Sequence, residues 1–271
     1  ARAELLSGER PALVGVRSAL AAIALAGRHG QRLTQGLGPT PIAELKRQKV
    51  DRERADKAFA RAGDLLGDHE AKLFLSAYGV PVTRQGVAAT PSAAVRIAQT
   101  CGWPVEVKPW EPSVAEERAG GPIARGVKNP PDVRRAFASV ATAAGIPVGV
   151  PVIVRATPPP GREVAVRIAR LAHLGWTIFV EAPGALSPAA APCPLRRSDA
   201  EELGAALEAS RSGEAAPDRA GLAELLLRAT FATVDREDDI DSLSLGRVIV
   251  AEKGKGALTV DARVKLRRRR R

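Results

Sequence analysis

The feature of this sequence that most constrains its fold is an alternation of helix and strand patterns, which begins near residue 67. The segment "HEAKLFLSAYG" places Ala71, Phe74, Leu75 and Tyr78 on one face of a helix, the spacing expected of an amphipathic element. A short strand, "VPVTRQGVA", a second helix, a second strand, "WPVEVKP", and a third helix, "PPDVRRAFASVATAAG", follow it. Such alternation predicts a layered α/β protein.

The second half of the chain contains more strand patterns than helix patterns. The segments "GVPVIVRAT", "REVAVRIAR" and "GWTIFVEA" are separated by proline and glycine turns, which predicts neighbouring antiparallel strands. An amphipathic helix, "PDRAGLAELLLRATFATVD", precedes a predicted hairpin, "RVIVAEKGKGALTVDARVKL". The predicted fold class is α/β (α+β), with one subdomain over residues 67–147 and a second over residues 148–266.

Capping residues predict where several helices begin and end. Asp68 is expected to cap the first helix of the alternating region, and Gly79 to end it. Thr90, which precedes a proline, is expected to cap the next helix. Ser198 has a glutamate three residues later, the pattern of a capping box, and predicts a further helix start.

Three segments lie outside the two predicted subdomains. Residues 1–30 contain an Ala-rich helix closed by glycine, residues 31–66 form a linker with an exposed charged helix, and residues 267–271 form a basic tail. The tail contributes five arginines to the net charge of +11. No zinc-finger spacing, helix-turn-helix pattern or interleaved aromatic residues accompany it. We therefore expect a solvated tail and no nucleic-acid partner.

Composition and hydropathy exclude several classes of protein. No apolar run reaches the ~18 residues of a membrane span, and no secretory signal pattern is visible. Two cysteines, Cys101 and Cys193, are too few for a disulfide framework or a zinc site. We expect a cytoplasmic protein without a membrane partner, and an aliphatic core because aromatic residues make up only 3% of the chain.

The segments "HEAKLFLSAYGVPV", "GWPVEVKP", "AGGPIARGVKN" and "PDVRRAFASV" together resemble the ATP-grasp domain of the NDP-forming acyl-CoA synthetases. This family includes ADP-forming acetyl-CoA synthetase and is related to succinyl-CoA synthetase. The resemblance extends through "VDARVKL", and residues 1–30 resemble the end of the CoA-ligase domain that precedes ATP-grasp in fused members. It implies an ATP-grasp fold of two subdomains with a cleft, ATP or ADP with Mg²⁺ as cofactors, and a CoA-binding or ligase domain or subunit as partner.

The same resemblance assigns candidate nucleotide-binding residues. Lys108 matches the family's strand-end lysine, Gly120 and Gly121 its paired glycines, and Glu163 the glutamate after its proline–glycine turn. A strand-end lysine that reaches solvent is the alternative for Lys108, and a surface carboxylate on an edge strand is the alternative for Glu163. Because side chains alternate along the strand "PVEVK", Lys108 is expected to point away from the valines and into the cleft.

Several positions depart from the family pattern. A His-Lys-Ser-Asp sequence precedes the glycine pair in the family, whereas "SVAEERAGG" occupies this region here and puts Glu116 and Glu117 where phosphate would approach. Arg155 stands in place of a glutamine before the adenine slot. The expected glycine-rich loop is "EAPGALSPAAAPCPL". Proline lacks an amide donor, so this loop is a poor phosphate cradle.

The family's metal-binding run, of the Glu-Leu-Asp-Ile-Asn-Pro type, is "SLSLGR" in this chain. Ser242, Ser244 and Gly246 replace its Glu, Asp and Asn, and divalent cations prefer carboxylate oxygens. We therefore predict no metal ligands. No catalytic residue is predicted either: His69 is expected to pack at a helix start and His173 to lie on a turn, without a nucleophile beside them.

Two further residues have structural interpretations. Cys193, between two prolines, is expected to be a buried or loop thiol with no catalytic role. Asp261 is expected to anchor the last strand through hydrogen bonds.

Two functions from different classes fit these observations. The first is an active ATP-binding part of an ADP-forming acyl-CoA ligase, an acid–thiol ligase that works with a partner ligase domain. The second is a catalytically degenerate ATP-grasp module kept for assembly, regulation or ligand binding, in a homo- or hetero-oligomer. The replacements fall together at the histidine, metal and loop positions while the core pattern survives, which favours the second. The chain alone is expected to make no acyl-CoA.

Overall fold

The fold is that of a computed structural model, which describes residues 16, 20, 23, 27, 50–60, 63–110, 122–143, 151–172, 174–184, 188–205 and 216–267. In chain order, the described elements are α1 (Arg52–Phe59), β1 (Leu65–Leu66), α2 (Asp68–Ala77), β2 (Gln85–Ala88), α3 (Pro91–Cys101), β3 (Val105–Pro109), β4 (Ala124–Val127), α4 (Pro130–Ala143), β5 (Val152–Ala156), β6 (Arg162–Leu171), β7 (Gly175–Glu181), β8 (Ala189–Pro192), α5 (Arg197–Ala205), α6 (Arg219–Asp235), β9 (Ile240–Val250) and β10 (Ala257–Leu266). No helix in the described part of the chain is long and apolar enough to cross a bilayer.

The smaller of two sheets has four antiparallel strands in the order β2–β5–β3–β4. Helices α3 and α4 pack on one face through an aliphatic cluster that includes Val105 and Val107 of β3. Side chains alternate along a strand, so Glu106 and Lys108 lie on the face opposite these helices. Both are nevertheless buried, which means that something other than the helices covers that face.

The larger sheet has six antiparallel strands in the order β1–β10–β9–β6–β7–β8. Residues of α2, α5 and α6 share an aliphatic core cluster with one face of this sheet. On β9, Leu243 and Leu245 are buried in that core, whereas Ser244 and Gly246 are exposed. The sheet therefore presents one apolar face to the helices and one polar face away from them.

Main-chain hydrogen bonds join the two sheets where the chain passes from α2 to β2. Thr83 N donates to Thr259 O at 3.0 Å, and Thr259 N donates to Pro81 O at 2.9 Å. Val82 thereby forms a parallel bridge with Thr259 of β10. This connection fixes the start of the smaller sheet against the larger one.

Two of the predicted helix boundaries are confirmed. Thr90 Oγ1 accepts a hydrogen bond from Ala93 N at 3.2 Å at the start of α3. Gly79, with φ of +73°, follows α2 in the left-handed conformation that glycine adopts at little cost.

Two predicted caps are wrong. Gly67 is the N-cap of α2, and Asp68 is its first residue, because the Asp68 side chain accepts a bond from Ala262 N of β10 instead of capping its own helix. Helix α5 begins at Arg197, so Ser198 lies inside the first turn. Asp199 Oδ2 accepts from Arg196 N at 3.2 Å there.

Sheet membership bears on the predicted domain boundaries, which stay a prediction. Strand β5 pairs with β2 and β3 in the smaller sheet, although the division at 147/148 assigned it to the second subdomain. Helix α2 packs in the core of the larger sheet, not the smaller one. We therefore propose a boundary after Ala156. The predicted β6–β7 and β9–β10 antiparallel pairs are confirmed.

The predicted flanking segments are only partly described. Within residues 31–66, α1 confirms the predicted charged helix, but its Ala55 and Ala58 are buried, so the helix is not exposed all round. Most of residues 1–30, and residues 268–271 of the basic tail, lie outside the described residues.

Candidate functional site

A cluster of six charged side chains lies where the two sheets meet. It comprises three cations and three carboxylates: Lys72, Lys108 and Arg155, with Asp68, Glu106 and Asp261. We call these six residues the charge cluster. Their formal charges cancel, which explains how so many ionised groups are accommodated in a largely buried place.

Lys108 is the centre of the charge cluster. Its ammonium lies 2.8 Å from Asp68 Oδ2 and 2.7 Å from Asp261 Oδ1, and the residue is only 7% exposed. Lys108 lies, as expected, on the strand face away from the valines, but the groups it meets belong to α2 and β10. Its assignment as a nucleotide-binding residue stays a prediction.

Arg155 is fully buried, and each side of its guanidinium has a partner. Its Nη2 lies 2.7 Å from Glu106 Oε2, while Nη1 donates to Asp261 Oδ1 at 2.7 Å and to Val260 O at 2.8 Å. Burial opposes its charge, but the two carboxylates outweigh burial and raise the pKa of Arg155. The residue that replaces the family's glutamine thus ties the smaller sheet to β10.

Lys72 and Asp68 extend the charge cluster into α2. The Lys72 ammonium donates to Asp68 Oδ2 at 3.2 Å, Thr83 Oγ1 at 2.8 Å and Gln85 Oε1 at 2.7 Å, so all three of its protons are used. Burial lowers the pKa of Lys72 to about 8, although Asp68 partly opposes this shift. Burial would raise the pKa of Asp68, but Lys72 and Lys108 hold it below its usual value.

The Asp261 carboxylate accepts hydrogen bonds from two cations, Lys108 and Arg155, at the same oxygen, Oδ1. Burial would raise its pKa, but the charges of Lys108 and Arg155 outweigh burial and hold the pKa of Asp261 well below the usual range. The expected hydrogen bonds of Asp261 are present. They join β10 to β3 and β5 across the junction, so their effect is to hold two sheets together.

The residues that replace the family's metal-binding run lie on the polar face of β9. Strand register places Ser244 between Arg167 of β6 and Arg263 of β10. No group of three His, Cys, Asp or Glu side chains that could hold a metal occurs among the described residues. Mg²⁺ is usually held through one or two carboxylates together with water and substrate phosphates. The serines and the glycine supply no carboxylate and the flanking guanidinium groups repel a cation, so this face does not fit a magnesium site.

Glu163 does not lie on an edge strand, because β6 is between β9 and β7 in the larger sheet. The local sequence suggested an edge strand because it does not show that β9, much later in the chain, pairs with β6 on the side away from β7. The Glu163 carboxylate accepts from Arg247 Nε at 2.8 Å. Its nucleotide role stays a prediction. Gly120 and Gly121 lie outside the described residues, as do Glu116 and Glu117.

The remaining sequence candidates have no nucleophilic arrangement in the described structure. His69 lies in the first turn of α2, as expected, and its Nδ1 is buried without a hydrogen-bond partner. Burial raises the pKa of Cys193 to about 12, which keeps the thiol protonated. The segment "EAPGALSPAAAPCPL", expected to be a loop, contains β8, an edge strand that pairs with β7. His173 lies outside the described residues.

Sequence reasoning missed Asp68, Lys72 and Glu106 as members of the charge cluster. A signal was present for Glu106, which alternates with valines in "VEVK" and so shares a face with Lys108. Lys72 lies next to Ala71 on the buried side of α2, a weaker signal. Nothing local indicated that Asp68 would bind across to β3.

Comparisons with known proteins support a family assignment. Residues 57–266 match the family model of an ATP-grasp domain. The beta subunit of ADP-forming acetate–CoA ligase II of Pyrococcus furiosus is 25% identical over 232 residues, which cover 78% of this chain and 96% of that subunit. ADP-forming acetate–CoA ligase II of Archaeoglobus fulgidus is 28% identical, but the chain spans only 31% of its length.

Among solved structures, the dinucleotide-forming acetyl-coenzyme A synthetase 1 of Ca. Korarchaeum cryptofilum has a similar fold. That structure holds coenzyme A, Ca-AMPCP and HgCl+, and its TM-score with this chain is 0.70 at 28% identity. The match covers 80% of this chain and 99% of that chain. The predicted fold and resemblance are confirmed: the chain belongs to the ATP-grasp domain family and is homologous to beta subunits of ADP-forming acetyl-CoA synthetases.

Proposed function

We propose that this chain is an ATP-grasp module of an ADP-forming acyl-CoA synthetase-type protein that no longer binds Mg-ATP productively. It serves assembly, regulation or ligand binding beside a CoA-binding or ligase partner. The observation that carries this proposal is the placement of the Lys108 ammonium between the carboxylates of Asp68 and Asp261.

The energetic argument concerns what a phosphate gains from Lys108. A hydrogen bond to a charged group contributes about 1.5–3 kcal/mol, and a micromolar site requires about 8 kcal/mol. The Lys108 ammonium has three protons, and Asp68 and Asp261 take two of them. The third can meet a phosphate only beside the negative charges of these two carboxylates, and a stronger contact requires Lys108 to leave one of them. Asp68, which is buried, would then lose half of its cationic partners. Lys108 therefore supplies little net affinity for a nucleotide.

The metal argument points the same way. Phosphoryl transfer in this kind of site relies on metal ions that neutralise phosphate charge. The Korarchaeum neighbour is described with a calcium-bound nucleotide analogue. In this chain the corresponding run supplies Ser242, Ser244 and Gly246, and Arg167 and Arg263 flank Ser244.

The second candidate function is an active ATP-binding part of an ADP-forming acyl-CoA ligase. It is favoured by the match to nearly the whole Pyrococcus beta subunit, 96% of its length, and by the lysine at the end of β3. Under this alternative, a partner ligase domain supplies the CoA site, and nucleotide binding releases Lys108 from its two carboxylates.

Thermal unfolding of the full chain with Mg-ATP and with Mg-ADP distinguishes the two functions. A ligand at about 100 times its Kd stabilises a protein by about 2.7 kcal/mol. We expect millimolar nucleotide to leave the midpoint unchanged, with and without Mg²⁺. A rise that requires both nucleotide and Mg²⁺, and that disappears in Lys108→Met, supports the active ligase. ADP release by the chain alone that depends on acetate and CoA contradicts the proposal independently.

A further inference from the structure

A cavity of about 470 Å³ lies where α2, α3 and the segment that leads into β2 meet. It falls within the range of roughly 300–1,000 Å³ that is typical of small-molecule sites. Of the sequence-derived candidates for nucleotide or metal binding that the structure describes, Lys108, Glu163, Ser242, Ser244 and Gly246, none lines it. The cavity is therefore a different place from the junction around Lys108, although Lys72 belongs to both.

The charged side chains that line this cavity are all cationic: Arg54, Lys72, Arg84 and Arg96. Lys72 is committed to its three acceptors in the wall. The guanidinium groups of Arg54, Arg84 and Arg96 form no ion pair or hydrogen bond with any described residue. Three unpaired guanidinium groups around one cavity create a positive potential that attracts an anion.

A buried polar atom in the wall also lacks a partner. His69 lines the cavity, and its Nδ1 has no hydrogen-bond partner in the described structure. Burial lowers the pKa of His69, so its ring is neutral near pH 7. A neutral imidazole offers one donor and one acceptor. Because Nδ1 is shielded from solvent, it does not open into the cavity, and His69 contributes ring surface to the wall rather than a hydrogen bond.

The rest of the wall combines apolar side chains with uncharged polar ones, Ser76, Thr83, Gln85 and Thr100. Leu73, Val82 and Ile97 contribute aliphatic surface. A Cβ added at Gly86 would lie 3.0 Å from Ile97 Cγ2, so Ile97 of α3 packs tightly on β2 at this point. The walls come from the cores of both sheets, because Leu73 packs against the larger core and Ile97 against the smaller.

We propose that this cavity binds a small organic anion, with a carboxylate or phosphate group at the arginines and an apolar stem against Leu73, Val82 and Ile97. The inference goes beyond the proposed function and does not depend on the loss of Mg-ATP binding. Because the ligand contacts elements of both sheets, its binding also braces the junction between them.

The test uses two probes, hexanoate and phenyl phosphate, with hexanol and inorganic phosphate as controls that each lack one half of the recognised chemistry. Binding to the full chain is followed by the NMR signal of the His69 ring and by calorimetry. We expect at least one probe to shift the His69 signal at millimolar concentration and both controls to leave it unchanged. A shift by neither probe, or an equal shift by hexanol, overturns the inference.

Variants identify the site. The double variant Arg84→Gln/Arg96→Gln changes two exposed side chains and is expected to weaken binding by about tenfold or more. Arg134→Gln changes an exposed arginine on α4 that forms no ion pair or hydrogen bond with any described residue, and it is the control. Equal affinity in the double variant and in the Arg134→Gln control overturns the inference.

The two proposals fail by different results. Mg-ATP binding that Lys108→Met abolishes and the double arginine variant retains contradicts the proposed function only. Probe binding that is independent of the arginines contradicts the inference about the cavity only.

Discussion

Lys108 illustrates how the neighbours of a charged residue decide what it can bind. An exposed lysine meets a phosphate without losing another protein partner, but Lys108 is nearly buried and lies within 2.8 Å of two carboxylates. Removing one member of a buried ion pair leaves an uncompensated charge, which costs far more than the pair contributed. In the described structure, Lys108 neutralises the carboxylates of Asp68 and Asp261.

Replacing Lys108 tests that role directly. We expect Lys108→Met to lower the free energy of unfolding by about 1–3 kcal/mol, less than the roughly 3–5 kcal/mol of a fully buried pair, because Lys72 and Arg155 remain as partners and the Asp261 side chain is 36% exposed. Urea unfolding at pH 7 measures the change. Lys253→Met, in the exposed turn between β9 and β10, is the control and should be nearly neutral. Equal stabilities of the two variants contradict the account.

Arg155 supports a second prediction at the residue scale. Arg155→Gln, which restores the residue found in the family, is expected to destabilise the protein by about 3–5 kcal/mol. Glu106 would remain buried, and its other cation, Arg125, is 3.9 Å away and largely exposed. Arg134→Gln on α4 serves as the control in the same urea experiment. A variant as stable as the wild type shows that glutamine fits this site without the ion pair.

At the scale of elements, Asp218 links the start of α6 to the β9–β10 hairpin. Its Oδ1 accepts from Gly221 N at 2.9 Å, and its Oδ2 accepts from Gly256 N at 2.8 Å. A Cβ at Gly221 would lie 2.6 Å from Gly256 Cα, so the helix and the hairpin are in close contact. One carboxylate thus caps a helix and fixes a turn.

We therefore expect Asp218→Ala to cost about 1–2 kcal/mol, toward the upper end of the range for an N-cap. The hairpin loses a bond as well as the helix, and thermal unfolding measures the loss. Asp238→Ala removes an exposed carboxylate in the turn after α6 and provides the comparison. If both variants have the same melting temperature as the wild type, Asp218 is not a structural link.

The link between α2 and β10 predicts a response to acid. The pKa values of Asp68 and Asp261 are lowered in the folded protein, so their stabilisation is fully present above the unfolded pKa of about 3.9. It is lost as pH falls through the lower folded values. We expect the free energy of unfolding to drop as pH falls below about 4, and to drop less in Asp261→Asn. Identical pH profiles for the variant and the wild type would falsify this link.

At the scale of the whole molecule, the sequence predicts the types of element better than their partners. Periodicity identified α2, α3, β3 and the β6–β7 pair because each depends on local spacing. It did not show that β5 pairs with β2 and β3, since a strand's partners are set by contacts far along the chain. The same limit applies to the site: Lys108 and Asp261 are 153 residues apart, and no local pattern reports that they meet.

The two sheets are thus held by a neutral, largely buried charge cluster at the place where a nucleotide-binding lysine is expected. The fold of the family is retained, and the aliphatic cores of both sheets are intact. In the described structure, the Lys108 ammonium is paired with two carboxylates. We propose that the chain keeps the family fold without an available nucleotide site.

Calorimetric titration of the full chain with Mg-ATP at neutral pH tests this claim most directly. A millimolar site corresponds to about 4 kcal/mol and a micromolar site to about 8 kcal/mol, and Lys108 contributes little of either while Asp68 and Asp261 hold it. We predict heats no larger than those of dilution, or an affinity weaker than about millimolar. A micromolar affinity that Lys108→Met abolishes contradicts the claim and establishes the active ligase in its place.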